Sequence, residues 1–268
     1  MSGNVYQVLT QAFNAGRLRA ILSSGQAVVM HRLAVMSKDG DWILREDAEA
    51  LEYVLGVLES RDARYRFGAP LDCRWLAGGW SSHFEFREEN LRVRADFVTR
   101  PPRITPTSLR ALWANAEAEA QPVPFTDVIT LAELKKTNRE RDYAVIGELA
   151  RLVESPAERL LLSRSARDLI ALAAQEPDLS AELVSQRPVL RHVHDGRDGL
   201  EAALDAERRE LIHANEDRLQ SYMDAAQSWM EAWPDIAEEV ADMPLREAHA
   251  VIAAHAEGRL PFQVKASS

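Results

Sequence analysis

The 268-residue chain has a single cysteine, Cys73. One thiol excludes an internal disulfide and a multi-cysteine zinc site. No run approaches the ~20 consecutive apolar residues that cross a bilayer. The opening stretch, MSGNVYQVLTQAFNAGR, is amphipathic and lacks the apolar core of a signal peptide. The expected setting is therefore the cytoplasm, with no membrane partner. Internal repeats and low-complexity tracts are absent too. Net positive charge is also missing: the formal charge is −10, so the field of the whole protein does not attract nucleic acid. The charge is uneven, however. Arg87, Arg92, Arg94, Arg100 and Arg103 cluster in sequence, as do Lys135, Lys136, Arg139 and Arg141. A local basic site in an acidic body suits a phosphate-bearing substrate. For any one of these residues, a solvated surface position is the plainer reading.

What is present is length enough for one large domain or two modest ones. Val5, Leu9 and Phe13 have helical spacing over residues 5–16. Ala20-Ile21-Leu22 reads as a strand, Ser23-Ser24-Gly25 as a tight turn with a capping serine, and the apolar stretch through Val35 as a helix. Trp42-Ile43-Leu44 is a short strand, and Ala50, Leu51, Val54, Leu55 and Leu58 mark the apolar side of a helix over 46–59. A further short strand is expected at 64–67. Residues 80–86 alternate, with Trp80, Ser82, Phe84 and Phe86 on one face and Ser81, His83 and Glu85 on the other. Residues 91–98 alternate in the same way, and Arg87-Glu88-Glu89-Asn90 joins the two segments into a β-hairpin. After Pro101, Pro102 and Pro106 come a helix near 107–117 and a short strand at Val128-Ile129. From Thr130 the pattern is helical almost to the end, most clearly over 198–233. The expected fold is α+β, a mixed sheet with flanking helices over 1–154, followed by an all-helical region over 155–268, divided at Glu154-Ser155-Pro156.

Asp39 and Asp41 enter a strand two residues apart, so their side chains share one side. Carboxylates that close repel unless a proton or cation lies between them. Mg²⁺ takes hard oxygen ligands, usually a few carboxylates, with water and substrate phosphates completing its shell. Asp96, on the polar face of the later hairpin strand, is a candidate third carboxylate. Three such groups suffice for two metal ions, one activating a hydroxyl and one steadying a triphosphate. Backbone N–H groups at the Ser24-Gly25 strand-to-helix turn are candidates to receive phosphate. Asp-Gly-Asp alone is also a common solvated turn.

The order Ser24-Gly25, Asp39-x-Asp41, Asp96 resembles the nucleotidyltransferase superfamily, and within it the AbiEii-type toxin nucleotidyltransferases. Those proteins carry a Gly-Gly or Gly-Ser turn, an apolar helix, an Asp-x-Asp strand, a third strand Asp, and a later helix with Lys and Asp. Leu131-Ala-Glu-Leu-Lys135-Lys136-Thr-Asn-Arg139-Glu-Arg141-Asp142-Tyr143 is similar to that last stretch, so the resemblance covers roughly 18–150. It implies a nucleotidyltransferase-like sheet and Mg²⁺-dependent transfer of a nucleotide from an NTP to a hydroxyl-bearing acceptor: a protein, an RNA end or a small molecule. Asp39 and Asp41 would bind metal, and Asp96 would bind metal or act as general base. Lys135 or Lys136 would contact the triphosphate, and Asp142 would position it or the lysine. The resemblance further implies the toxin of a toxin–antitoxin or phage-defence system, with an antitoxin partner. Two positions depart from the pattern. The turn reads Ser-Ser-Gly-Gln, and Gly40 stands where the family often has an apolar residue. They motivate an alternative: a catalytically inactive interaction protein that keeps the fold.

Other features carry plainer readings. His192-x-His194-Asp195 lies in a charged, glycine-bearing segment and reads as an exposed loop rather than a metal site. His31 reads as a hydrogen-bonded histidine rather than a site residue. Ser165 with Asp168 reads as a helix cap, Cys73 as a small packed residue, and Trp229 and Trp233 as core.

Overall fold

The computed structural model describes residues 4–264. They form two compact units: 4–126 together with 220–264, and 127–219. The architecture is the expected mixed α/β class, with a five-stranded mixed sheet, flanking helices and a helical C-terminal region.

The first unit is built on strands β1 (Ala20–Ser23), β2 (Gly40–Leu44), β3 (Arg64–Tyr65), β4 (Ser82–Glu88) and β5 (Leu91–Val98), in the order β1-β2-β5-β4-β3. β2 and β5 run parallel, and the other pairs are antiparallel. Period-2 alternation gives the sheet two unlike faces. Trp42, Leu44, Phe84, Phe86, Val93 and Phe97 make one core with helices α1 (Val5–Phe13) and α3 (Ala48–Glu59). Trp42 stacks on its register partner Phe97, ring centroids 5.4 Å apart. Its indole N–H donates to Thr10 Oγ1 at 2.9 Å, so no buried donor is left unpaired there. Asp47 starts α3 by accepting from the Ala50 N–H at 2.8 Å.

A second core joins the end of the chain to this unit. Helices α12 (Gln227–Glu239) and α13 (Leu245–Glu257) bury Trp229, Ile236 and Ile252 with Trp75 and Trp80. The indole N–H groups of Trp75, Trp80 and Trp229 donate to the carbonyls of Leu260, Pro261 and Gly68 at 2.9, 2.8 and 2.9 Å. That burial places residues 220–264 with the N-terminal sheet, so the compact units divide at 126/127 and 219/220 rather than at the expected 154.

The second unit is helical, from α6 (Val128–Leu134) through α7 (Glu140–Leu152), α8 (Pro156–Leu162), α9 (Ala166–Gln175) and α10 (Pro177–Leu183) to the greater part of α11 (Gly196–Ala225). Leu160, Leu169, Leu183, Leu190 and Leu200 form its core. Ser165 caps α9, accepting from the Asp168 N–H at 3.2 Å.

Three expectations change. Val128-Ile129 is the first turn of α6 and not a strand. Asp127 accepts from the Thr130 N–H at 2.9 Å and starts the helix, while the strand-like pairing falls upstream, in a parallel bridge between Leu22 and Phe125. Helix α2 spans Ser24–Met30 and stops short of Val35, because Arg32 turns to the left-handed conformation at φ 62°. The long C-terminal helix is two helices, broken at Ala226 between α11 and α12. Trp42→Ala removes a fully buried indole and its hydrogen bond, and is expected to cost about 3–5 kcal/mol as a fall in the urea midpoint at unchanged slope.

Candidate active site on the polar sheet face

The face opposite the Trp42–Phe97 stack carries a polar row beside the buried Ile21 and Ile43. Register sets Ser23 opposite Asp41, Asp41 beside Asp96, and Asp96 opposite His83. One row of side-chain positions thus crosses four strands. Of the expected carboxylates, Asp41 and Asp96 are direct neighbours on parallel strands. Asp39 lies just before β2, where its Oδ1 is 3.7 Å from an Arg94 guanidinium nitrogen. Asp96 Oδ1 is 2.7 Å from His83 Nδ1 and 3.6 Å from Arg66 Nη1. Ser81 Oγ lies 2.8 Å from His83 Nε2, which completes a Ser81–His83–Asp96 hydrogen-bonded chain. The resemblance did not single out His83. Its partner was nonetheless implied by the hairpin, because pairing Glu88 with Leu91 across the turn sets 83 against 96.

Gly40, between the two aspartates, has a packing reason. A Cβ there would lie 2.4 Å from a ring atom of Trp42 and 2.6 Å from one of Tyr6. The family's apolar side chain has no room, because these rings already fill the position. Gly25 is similarly close-packed, with Ser37 Oγ 2.2 Å from where its Cβ would be. Gly25 lies in the first turn of α2, directly after β1, and Ser24 has φ 50°.

Tyr6 reports on the charge at this end of the sheet. Its hydroxyl donates to the Lys38 carbonyl. Burial, followed by the negative charges of Asp39 and Asp41, raises its pKa to about 12.

Carboxylate oxygens on adjacent strands suit a hard divalent cation. Among the described residues, no three His, Cys, Asp or Glu side chains form a metal-holding group. The register supplies a pair, Asp41 and Asp96, and one or two carboxylates with water and phosphate oxygens meet the usual demand of Mg²⁺.

The remaining candidates belong to the second unit. Lys135 is buried, 3.5 Å from Asp142. Asp142, also buried, accepts from Thr137 Oγ1 at 2.7 Å and Arg139 Nε at 3.0 Å. Lys136 pairs with Glu133 at 2.5 Å. The plainer readings elsewhere agree with the contacts. His31 Nε2 is 2.9 Å from the Thr126 carbonyl oxygen, and His192 Nδ1 pairs with Asp195 on the surface. Burial and nearby acidic groups push the Cys73 thiol up, away from thiolate chemistry. No described helix is long and apolar enough to cross a membrane.

No protein-family model matches the chain, and no curated protein matches it in sequence. Two solved structures from Helicobacter pylori resemble it distantly. One is a "putative nucleotidyltransferase" at 12% identity and TM-score 0.37, with the likeness covering 79% of this chain and 95% of that one. The other is JHP933, at 12% identity and TM-score 0.35, covering 82% and 95%. At these values neither likeness carries weight for function, which rests on the residues themselves.

If the carboxylates act on Tyr6 as described, Asp41→Asn will lower its pKa from about 12, read as earlier phenolate absorbance in an alkaline titration. The raised value has a linked effect on stability. Tyr6 holds its proton longer in the folded state than in the unfolded one, so its contribution is complete below pH ~10 and is lost as pH rises through about 12.

Proposed function

We propose that the polar sheet face of the first unit is the active site of a Mg²⁺-dependent nucleotidyltransferase. The observation that carries this reading is the parallel register that makes Asp41 and Asp96 neighbours, with Ser23, the residue before the Ser24-Gly25 turn, opposite Asp41. In the reaction, an acceptor hydroxyl oxygen bonds to the α-phosphorus of an NTP, pyrophosphate leaves, and the hydroxyl proton passes to a base.

Asp41 and Asp96 would hold the metal. Asp39 would stand beside them, keeping Arg94 on the phosphate side of the row. A divalent cation held there would neutralise charge that develops on the phosphates. His83, oriented by Asp96 and bonded on its other ring nitrogen to Ser81, is the proposed proton acceptor in this chain's own machinery. Ser24 and Gly25 are proposed to present backbone N–H groups to phosphate. A toxin role with an antitoxin partner is the finer form of the proposal. It predicts growth arrest on expression, relieved by Asp39→Ala.

One observation favours a second reading, an inactive interaction protein. Asp39 and Asp96 already have cationic neighbours of their own, Arg94 and Arg66. Calorimetric titration with each of the four NTPs, with and without Mg²⁺, separates the two. The active reading expects metal-dependent binding to the wild type that falls at least about tenfold in Asp41→Asn, the loss of one charge-assisted contact. Absence of binding by the folded wild type would leave the inactive reading.

A further inference from the structure

Two pockets meet at the edge of the sheet where β3 is the last strand. The first is apolar and holds about 150 Å³ between β3, α12 and α13. Ala63, Ala237, Ala241 and Ala248 leave the space, and Trp233 and Met243 wall it. Trp233 is held there by the rings of Phe67 and Trp229, with centroids 5.9 and 5.6 Å away. Tyr65 also lines this pocket, but its hydroxyl is engaged: it accepts from the Leu71 N–H at 3.0 Å and lies 2.7 Å from His249 Nδ1. An apolar cavity of roughly 150 Å³ takes up a molecule such as benzene, and a guest restores contacts that empty space forfeits. The second pocket is charged. It holds about 470 Å³ at the far end of the polar face, lined by Arg61, Arg64, Arg87 and Arg92 with Asp62 and Glu85. Arg61 pairs with Glu88 at 2.7 Å and Arg92 with Glu85 at 2.5 Å. Among the described residues, Arg64 and Arg87 have no carboxylate within ion-pair reach. Arg87 and Arg92 are direct cross-strand partners, and like charges in that position destabilise a sheet. Arg64 lines both pockets. It stands opposite Glu85 on the polar face, while its neighbours Ala63 and Tyr65 pack with the core. With no strand beyond β3, the two faces meet around its edge.

We propose that the two pockets form one binding site for a small organic phosphate, its apolar group seated against Trp233 and its phosphate held by Arg64 and the arginine pocket. The pairing of an apolar wall with a few placed polar groups is the usual make-up of a small-molecule site. With the Tyr65 hydroxyl engaged, the first pocket offers a guest contact surface, which suits a hydrocarbon or aryl group of about benzene's size. The second pocket suits phosphate more than carboxylate. A phosphate brings up to two charges and three acceptor oxygens to several guanidinium forks, and it offsets the repulsion between Arg87 and Arg92. The site is separate from the carboxylate row. Even Arg92, its nearest member along β5, lies four positions from Asp96, about 14 Å at ~3.4 Å per residue. The guest is therefore a ligand of the sheet edge and not a reactant at Asp41 and Asp96, and the proposal stands without the nucleotidyltransferase reading. Bound there, it ties β3 to α12 and α13 and stabilises the folded unit.

The test is calorimetric titration of the full chain with phenyl phosphate, in EDTA and without NTP, beside benzene and inorganic phosphate as its separate halves. Wild type is expected to bind phenyl phosphate at least about tenfold more tightly than either half, and to melt at a higher temperature in its presence. Ala237→Leu fills the apolar pocket. It should melt at or above the wild-type temperature and bind phenyl phosphate no better than inorganic phosphate. Arg64→Gln changes an exposed side chain and spares the core. It should bind benzene as the wild type does and phenyl phosphate at least about tenfold more weakly. Asp41→Asn should bind phenyl phosphate as the wild type does, which keeps this result apart from the fate of the catalytic reading. The proposal is overturned if the wild type binds phenyl phosphate no more tightly than inorganic phosphate, or if Asp41→Asn abolishes binding. It is also overturned if Arg64→Gln, or an Ala237→Leu protein of unchanged melting temperature, binds as the wild type does. Should Ala237→Leu melt low, Arg64→Gln and the three probes on the wild type decide the matter without it.

Discussion

The parallel pairing of β2 with β5 is the constraint on which the rest of the first unit depends. It lays Trp42 on Phe97 on one face and sets Asp41 beside Asp96 on the other. Side chains alternate with period two, so a slip of one residue would carry the indole to the polar face and a carboxylate into the core. The hydrophobic stack therefore fixes where the charges stand. Gly40 belongs to the same bargain between the faces. With no Cβ, it lets the rings of Trp42 and Tyr6 close over the backbone between the two aspartates.

Local patterns made much of this legible from the sequence. The hairpin and its two faces follow from alternation, and the helix ending at Glu59 from helical spacing, and each is realised, the helix starting at Ala48 behind its Asp47 cap. Asp39, Asp41 and Asp96 could be named because a strand-entry pair and a polar-face position are short-range signals. The His83–Asp96 contact was encoded in the hairpin register, but only once the turn was set to the residue. Arg61 and Arg64 gave no such signal. They meet Arg87 and Arg92 only through the pairing of β3 with β4, which a two-residue strand hardly announces. Val128-Ile129 read as a strand because both residues are β-branched, yet an upstream Asp127 able to bond the Thr130 N–H outweighs that preference.

The limits of local reading show most clearly at the chain's end. Helical spacing located Trp229 on an apolar stripe, but nothing nearby says that its partners are Trp75 and Trp80. The switch from mixed to helical pattern suggested a boundary at Glu154-Ser155-Pro156, whereas burial is decided by long-range contacts. The acidic balance is likewise an average that conceals its own exception. The whole chain carries −10, while one end of a single sheet face gathers four arginines. Net charge bounds the long-range field of a protein and says little about a surface a few residues across.

The three indole hydrogen bonds also impose an order on biosynthesis. Trp75 and Trp80 emerge early, but the carbonyls they bind belong to Leu260 and Pro261. The nascent sheet unit must wait, with its second core open, while the whole helical segment 127–219 is made. That segment has a core of its own, so it can mature first although it is translated second. The interval leaves two tryptophans uncovered on an unfinished polypeptide, the condition in which a folding chain is most exposed to aggregation and most dependent on chaperones.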